Sequence, residues 1–309
     1  MQMRSILPIG ILAGLITALL LAAIQTGSVL AIPLFLVASL PLALVGLAWG
    51  SFTAAVGAVT ASLAWAIVAG PLSGFAVFVL TAAPMAWITY LLGLSRQVGD
   101  GQEWYPLDRV LLQATAIAAG GLIIIGIVSG FEPNELAAEA TAAIQSGIAT
   151  GQLPFVPAAQ IESMTELYVA AFPYVAAAGA LILMVLNAWL AAIVLESAGR
   201  LKRPRTPLWT VSLPRPAALV LLAALAGTAL SGVGGSAAAA IAGAFGLAYA
   251  LVGLGVLHEV TLGRDSRALI LFIAYASILF LGVSLAIAAI IGLIDSFYRL
   301  RPTRAPPST

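Results

Sequence analysis

From Ser5 to Ser95 the chain reads SILPIGILAGLITALLLAAIQTGSVLAIPLFLVASLPLALVGLAWGSFTAAVGAVTASLAWAIVAGPLSGFAVFVLTAAPMAWITYLLGLS, without one Asp, Glu, Lys, Arg or His. A run of this length is far beyond one buried core helix. It must be several segments lying in hydrocarbon, each using about 20 apolar residues to cross about 30 Å. No apolar/polar alternation of period two runs through it, which disfavours a transmembrane barrel. In lipid the backbone has to satisfy its own hydrogen bonds, and helices remain.

The rest of the sequence extends the same reading. Of 309 residues 62% are apolar and only 8% charged, and the mean hydropathy is +1.10. A soluble domain carries roughly a quarter of its residues charged. The net charge of +1 gives no field for nucleic acid, and the lack of Cys removes disulfides and thiolate metal sites. Arg4 followed by Ile6–Ile24 resembles a leader peptide, but another apolar run follows almost at once, so it is read as a retained first helix.

Turn-forming and charged residues divide the chain into about nine spans (range 8–10): 6–26, 29–49, 51–70, 74–94, 109–130, 168–197, 216–232, 236–257 and 268–297. Thr26-Gly27-Ser28, Gly50-Ser51, Gly70–Gly74 and Gly232–Ser236 supply the breaks. The expected fold is thus all-α, a polytopic transmembrane helical bundle. Its expected organisation is a six-helix membrane core (1–199), a basic loop (200–215), C-terminal membrane helices (216–298) and a disordered tail (299–309).

Orientation follows from the bases. Arg200, Lys202, Arg203, Arg205 and Arg215 crowd one loop with no acid among them, which predicts a cytoplasmic loop. Arg96 and Arg109 mark another, two spans earlier. Residues 131–167 carry Glu132, Glu135, Glu139, Glu162 and Glu166 and no base, so they belong outside, and Arg4 with the N-terminus inside. A ninth span would leave Arg299, Arg301 and Arg304 outside, against the rule. Either 268–297 is a tight or re-entrant hairpin or an earlier division is misplaced, and a single tilted helix whose end lies along the interface is the favoured solution. Asn134–Ile148 is expected to form a short external helix.

Few residues could carry chemistry. Asn187 lies deep in a span, where an amide needs partners and must face the bundle interior. It makes either an interhelical hydrogen bond or a ligand contact, with Tyr174 and Trp189 as further candidate contacts in a mainly apolar pocket between helices that opens outward beneath residues 131–167. Glu196 is expected to pair with Arg200, and Asp295 with Arg299, both at i,i+4. The lone His258 sits at a helix end, where the dipole favours it. No phosphate-binding loop, nucleophile elbow or H-E-x-x-H pair occurs. The expectation is therefore no enzyme, no metal and no cofactor. Gly10–Gly14, Gly46–Gly50, Gly70–Gly74 and Gly126–Gly130 recur at four-residue spacing, as do Ala18 and Ala22, a pattern of close helix packing or of docking to a second membrane subunit.

The stretch Leu94–Gly99, running on to Glu103-Trp104-Tyr105-Pro106, resembles the loop after the fourth helix in the YybS-like family of uncharacterised bacterial membrane proteins. Asn187 with the basic loop beyond it, Pro207-Leu208-Trp209, Leu213-Pro214 and Gly292–Arg301 (with Asp295 and Arg299) resemble the same family. That family is similar to the substrate-binding S components of energy-coupling-factor transporters, six-helix bundles that capture vitamins or metal ions. The resemblance implies a bacterial inner-membrane protein whose first six spans form an S-component-like core. It also implies a transport-related, small-molecule-binding role, and docking of a membrane partner subunit on Ala18 and Ala22. The ligand is left open. The alternative is a membrane scaffold or assembly factor, whose Arg200, Lys202, Arg203 and Arg205 meet anionic lipid or a partner protein.

Overall fold

The computed structural model describes residues 3–298, 300 and 301, without the side chains of residues 3–5 and 281. It is an all-α bundle with seven helices long and apolar enough to cross a membrane. The chain is a multi-pass membrane protein.

Helix α1 (Met3–Ala22) and the turn Ala23–Thr26 make the first span. The second is broken into α2 (Ala31–Leu36) and α3 (Leu40–Trp49). Pro41 explains the break, since it has no N–H to give the carbonyl four residues earlier. Gly50 (φ 105°) ends α3 and opens α4 (Ser51–Ala69), and Gly70 (φ 93°) does the same before the fourth span. These are turns that a side chain would strain. The fourth span runs through α5 (Pro71–Val77), a π-helical turn at Phe78–Ala82, and α6 (Ala83–Gly93). Pro84 cannot donate to Leu80, and the π turn absorbs that loss.

An antiparallel hairpin follows, β1 (Ser95–Val98) with β2 (Gly101–Trp104), Arg96 opposite Glu103. Gly99 (φ 58°) makes its turn with Asp100. Helix α7 (Leu107–Ser129) is the fifth span. Helix α8 (Pro133–Ala149) occupies the place expected for the external helix, with Glu132 at its N-cap and Pro133 in its first turn. Helix α9 (Ala158–Ser197) is one continuous element of 40 residues, about 60 Å. It begins ten residues before the expected span at 168, and its first turns pair with α8.

Helices α10 (Arg215–Gly227) and α11 (Gly232–Val260) come next. Helix α10 is short because the preceding strand of chain already dips inward, with Val211 and Leu213 buried. Helix α11 is the centre of the second half. It is apolar on every side and two thirds buried, packed by α7, α9, α10 and the last helix. Helix α11 thus joins the C-terminal helices to α7 and α9.

The single tilted helix expected over 268–297 is corrected to two: α12 (Arg267–Leu281) and α13 (Val283–Tyr298), hinged at Gly282 (φ 60°). Helix α12 starts beside the end of α11, where Arg267 meets His258. Helix α13 returns to that same end, where Arg301 reaches Glu259. Along the way Gly253 and Gly292 bring α11 and α13 to backbone contact, and a Cβ on either would collide with the other helix. The hinge thus makes a V that leaves and returns at one end of the bundle. This removes the charge conflict that a ninth crossing created.

Candidate functional site

All Lys and Arg side chains that are described lie at one end of the bundle, and Glu132, Glu135, Glu139, Glu162 and Glu166 lie at the other. We call these the basic and the acidic end.

The basic end is laced together. Segment 198–214 crosses it as a strap. Arg203, half-buried, donates to Tyr105 O (2.9 Å), and burial lowers its affinity for the proton. Asp108 accepts from Ser212 N (2.9 Å) and Ser212 Oγ (3.0 Å). Tyr105 is fixed in turn by Gln113, whose Nε2 donates to the phenol oxygen (2.9 Å) and whose Oε1 accepts from Trp87 Nε1 (2.8 Å). Pro106 caps α7, and Trp104 with Tyr105, Arg96 and Arg109 lines a recess under the β-hairpin. Arg96 and Glu103 pair across that hairpin in the open, each favouring the other's charged form.

Asp295 is 5% exposed and holds the end of the chain. Its partner is Arg301 (2.7 Å), and its Oδ1 accepts from Leu300 N (3.0 Å). The expected partner Arg299 lies outside the described residues, as do Arg304 and the Arg4 side chain. Asp295 is thus a buried carboxylate, held in the structure by Arg301. Arg301 also donates to Trp209 O (2.7 Å) and Val211 O (2.8 Å). Of the expected tail 299–309, only Leu300 and Arg301 are described, and both are tied down.

The basic loop is mostly engaged inside the chain. Arg200 stacks over Trp49 (5.3 Å to the ring centre), and Arg205 takes Glu196 (2.7 Å), so the expected Glu196–Arg200 pair is not formed. Lys202 is exposed. His258 bonds Tyr275 (2.8 Å) and stacks on Trp209.

Asn187 is 1% exposed, and its Nδ2 donates to Leu36 O and Leu183 O (2.8 Å each). The Leu36 carbonyl is free because the second span breaks there. Proline and amide are thus two halves of one feature. Oδ1 of Asn187 is buried without a partner among the described residues. Tyr174 lies thirteen residues earlier, about 20 Å along α9, where its backbone abuts Gly243. Trp189 points outward, 39% exposed. The three do not converge. Ala18 is buried within the bundle, and Ala22 is half-buried. Gly10 and Gly14 receive the backbone of α4 at Thr53 and Gly57, so this small-residue face is used internally.

A cleft does open at the acidic end, where an apolar pocket beneath residues 131–167 was expected, but Asn187, Tyr174 and Trp189 do not line it. Helices α7, α9 and α11 splay there around an open cleft of about 300 Å³. Leu122, Ile123, Gly126 and Ile127 form one wall, Phe172 and Pro173 the second, and Val233, Ser236, Ala237 and Ala240 the third. The contact of Tyr174 with Gly243, one turn deeper than Ala240, closes α9 on α11 and makes the floor. At the mouth stand Phe131 and Glu132. Ser236 and Glu132 are its polar side chains. Such a shape suits a small, mainly apolar molecule. Helix α8 contributes no residue to the lining and stands against the outer turns of α9, where Thr141 and Thr165 bond (3.2 Å).

No family model matches the chain, and neither a curated protein nor a solved structure matches it.

Proposed function

We propose that this is a small-molecule-binding, transport-related protein of the bacterial cytoplasmic membrane, with its N-terminus and basic end in the cytoplasm and its acidic end outside. The observation that carries the reading is the apolar cleft between α7, α9 and α11. It opens at the end opposite the bases, which is the outward end under the positive-inside rule. A membrane protein that only braces its neighbours has no use for three splayed helices. The bundle could have closed there as tightly as it closes at Gly253 and Gly292.

The YybS-like resemblance and its S-component analogy support the same role. In that analogy a separate coupling subunit and an ATPase would supply energy. Ala18 is turned inward, so such a subunit would dock elsewhere than on the Ala18–Ala22 face.

The test is purification of tagged protein from its native membrane in mild detergent, with mass spectrometry of bound proteins and small molecules. The expected result is a small apolar molecule that is present with the wild type and missing with Gly126→Leu, whose side chain fills the cleft. A Cβ at Gly126 meets only Phe131, at 3.7 Å, so the substitution fits. A molecule retained equally by Gly126→Leu would place binding elsewhere.

A further inference from the structure

We propose that the cleft at the acidic end selects a lipophilic cation, an aromatic or apolar body bearing one positive charge. This rests on reading the cleft as a binding site and specifies what it takes.

Three features of the mouth carry the inference. The first is aromatic. Phe131 and Phe172, both lining residues, lie ring to ring at 6.0 Å and 12°. Tyr168 stands one turn further out, 6.0 Å from Phe172 and inclined by 56°. The face of such a ring carries the negative lobe of its quadrupole and attracts a cation that has shed part of its water.

The second is Glu132, which lines the cleft beside Phe131 and makes no salt bridge among the described residues. Its side chain is exposed at the rim, open to an entering ligand. Glu135 and Glu139 on α8 and Glu162 and Glu166 on α9 add to the same field. The third feature is what the walls lack. No Lys, Arg or His occurs in 110–199 or 216–257, the segments from which every wall is built. An anion entering there would meet five carboxylates and no counter-charge. A neutral molecule would gain only the apolar walls. A cation gains both the walls and the rim.

The apolar depth sets the other half of the specificity. Below the rim the walls are Leu122, Ile123, Ala237 and Ala240 with the one hydroxyl of Ser236, too few polar groups to replace the water of a hydrated metal ion or a polyamine. The charge must therefore sit at one end of the ligand, at the level of Phe131 and Glu132, with the apolar body beneath.

The experiment uses full-length protein in neutral-lipid nanodiscs, titrated calorimetrically with three molecules of one shape, against empty nanodiscs. They are benzyltrimethylammonium, its neutral carbon isostere neopentylbenzene, and the anion phenylmethanesulfonate. The expected result is saturable binding of the cation, weaker binding of the isostere and none of the anion. Glu132→Gln should weaken the cation by about fivefold and leave the isostere unchanged. Phe172→Leu should weaken the cation by a similar factor. Gly126→Leu and Ser236→Leu, checked for an unchanged melting temperature, should abolish both. If cation, isostere and anion bind alike and Gly126→Leu removes all three, the cleft is a site and the charge selection is wrong. If none binds above empty nanodiscs, or if both cleft-filling variants bind as the wild type does, the cleft reading falls with it.

Discussion

The two ends of this bundle are built on opposite plans. At the basic end, side chains tie separate segments together: Arg203 to the Tyr105 carbonyl, Asp108 to Ser212, and Arg301 to Asp295 and the carbonyls of Trp209 and Val211. At the acidic end the one side-chain hydrogen bond between elements among the described residues is Thr141 with Thr165, and three helices stand apart. Charge explains the contrast. Bases at the first end have carboxylates and backbone carbonyls to hold, whereas the carboxylates at the second have no base. One end is a closed seal and the other is free to admit something.

The sharpest way to break that contrast is to open the seal. Arg301→Ala leaves the buried Asp295 and the half-buried Glu259 without this counter-charge, and strips the donors from Trp209 O and Val211 O. A loss of about 3–5 kcal/mol is expected, read by unfolding in mixed micelles. Arg301→Lys should recover only part of it, because an ammonium cannot fork between a carboxylate and two carbonyls. A wild-type unfolding midpoint for Arg301→Ala would mean the seal contributes nothing.

Asn187→Ala comes next. It removes the bond to Leu36 across a proline break, and about 1–2 kcal/mol is expected. Asn187 lies fourteen residues from Pro173, about 21 Å along α9, so ligand occupancy should be unchanged. A loss of ligand without a loss of stability would move the site to mid-bundle. Gly126→Leu should be close to neutral in stability, since the cleft is open and leucine favours a helix. Its effect is expected in binding alone.

The smallest effect belongs to the exposed hairpin. Arg96 holds the Glu103 carboxyl below its ordinary range. A group with a lowered folded value stabilises above its unfolded value, and that contribution disappears as pH falls through the lowered one. Both side chains lie in solvent, so Glu103→Gln should leave the melting temperature unchanged at neutral pH, and its pH profile should overlay that of the wild type.

Much of this was legible because glycine, proline and charge are local signals. Gly50 and Gly70 mark true breaks, and the bases mark one end. The hinge at Gly282 was hidden inside an uninterrupted apolar run, where one glycine among so many carries no weight until the returning helix shows its use. The first turns of α9 were excluded from its span by Glu162 and Glu166, although a helix does not stop where the bilayer does. The β-hairpin was signalled by Gly99-Asp100-Gly101 but masked by its shortness. Asn187 was recognised as a residue needing partners, and its partner, a carbonyl freed some 150 positions earlier, is a tertiary fact. The lining of the cleft was least legible: an apolar pocket beneath 131–167 was expected, but its walls are ordinary apolar residues that only the arrangement of three helices singles out.

The most direct test of an open outward end uses the absence of native cysteine. Ser236→Cys, in the cleft, and Lys202→Cys, on the strap, are exposed in turn to a membrane-impermeant maleimide. The account predicts that Ser236→Cys is labelled in intact cells and that Lys202→Cys is labelled only after the membrane is permeabilised. Labelling of Lys202→Cys from outside, or a Ser236→Cys that reacts from neither side, would contradict it.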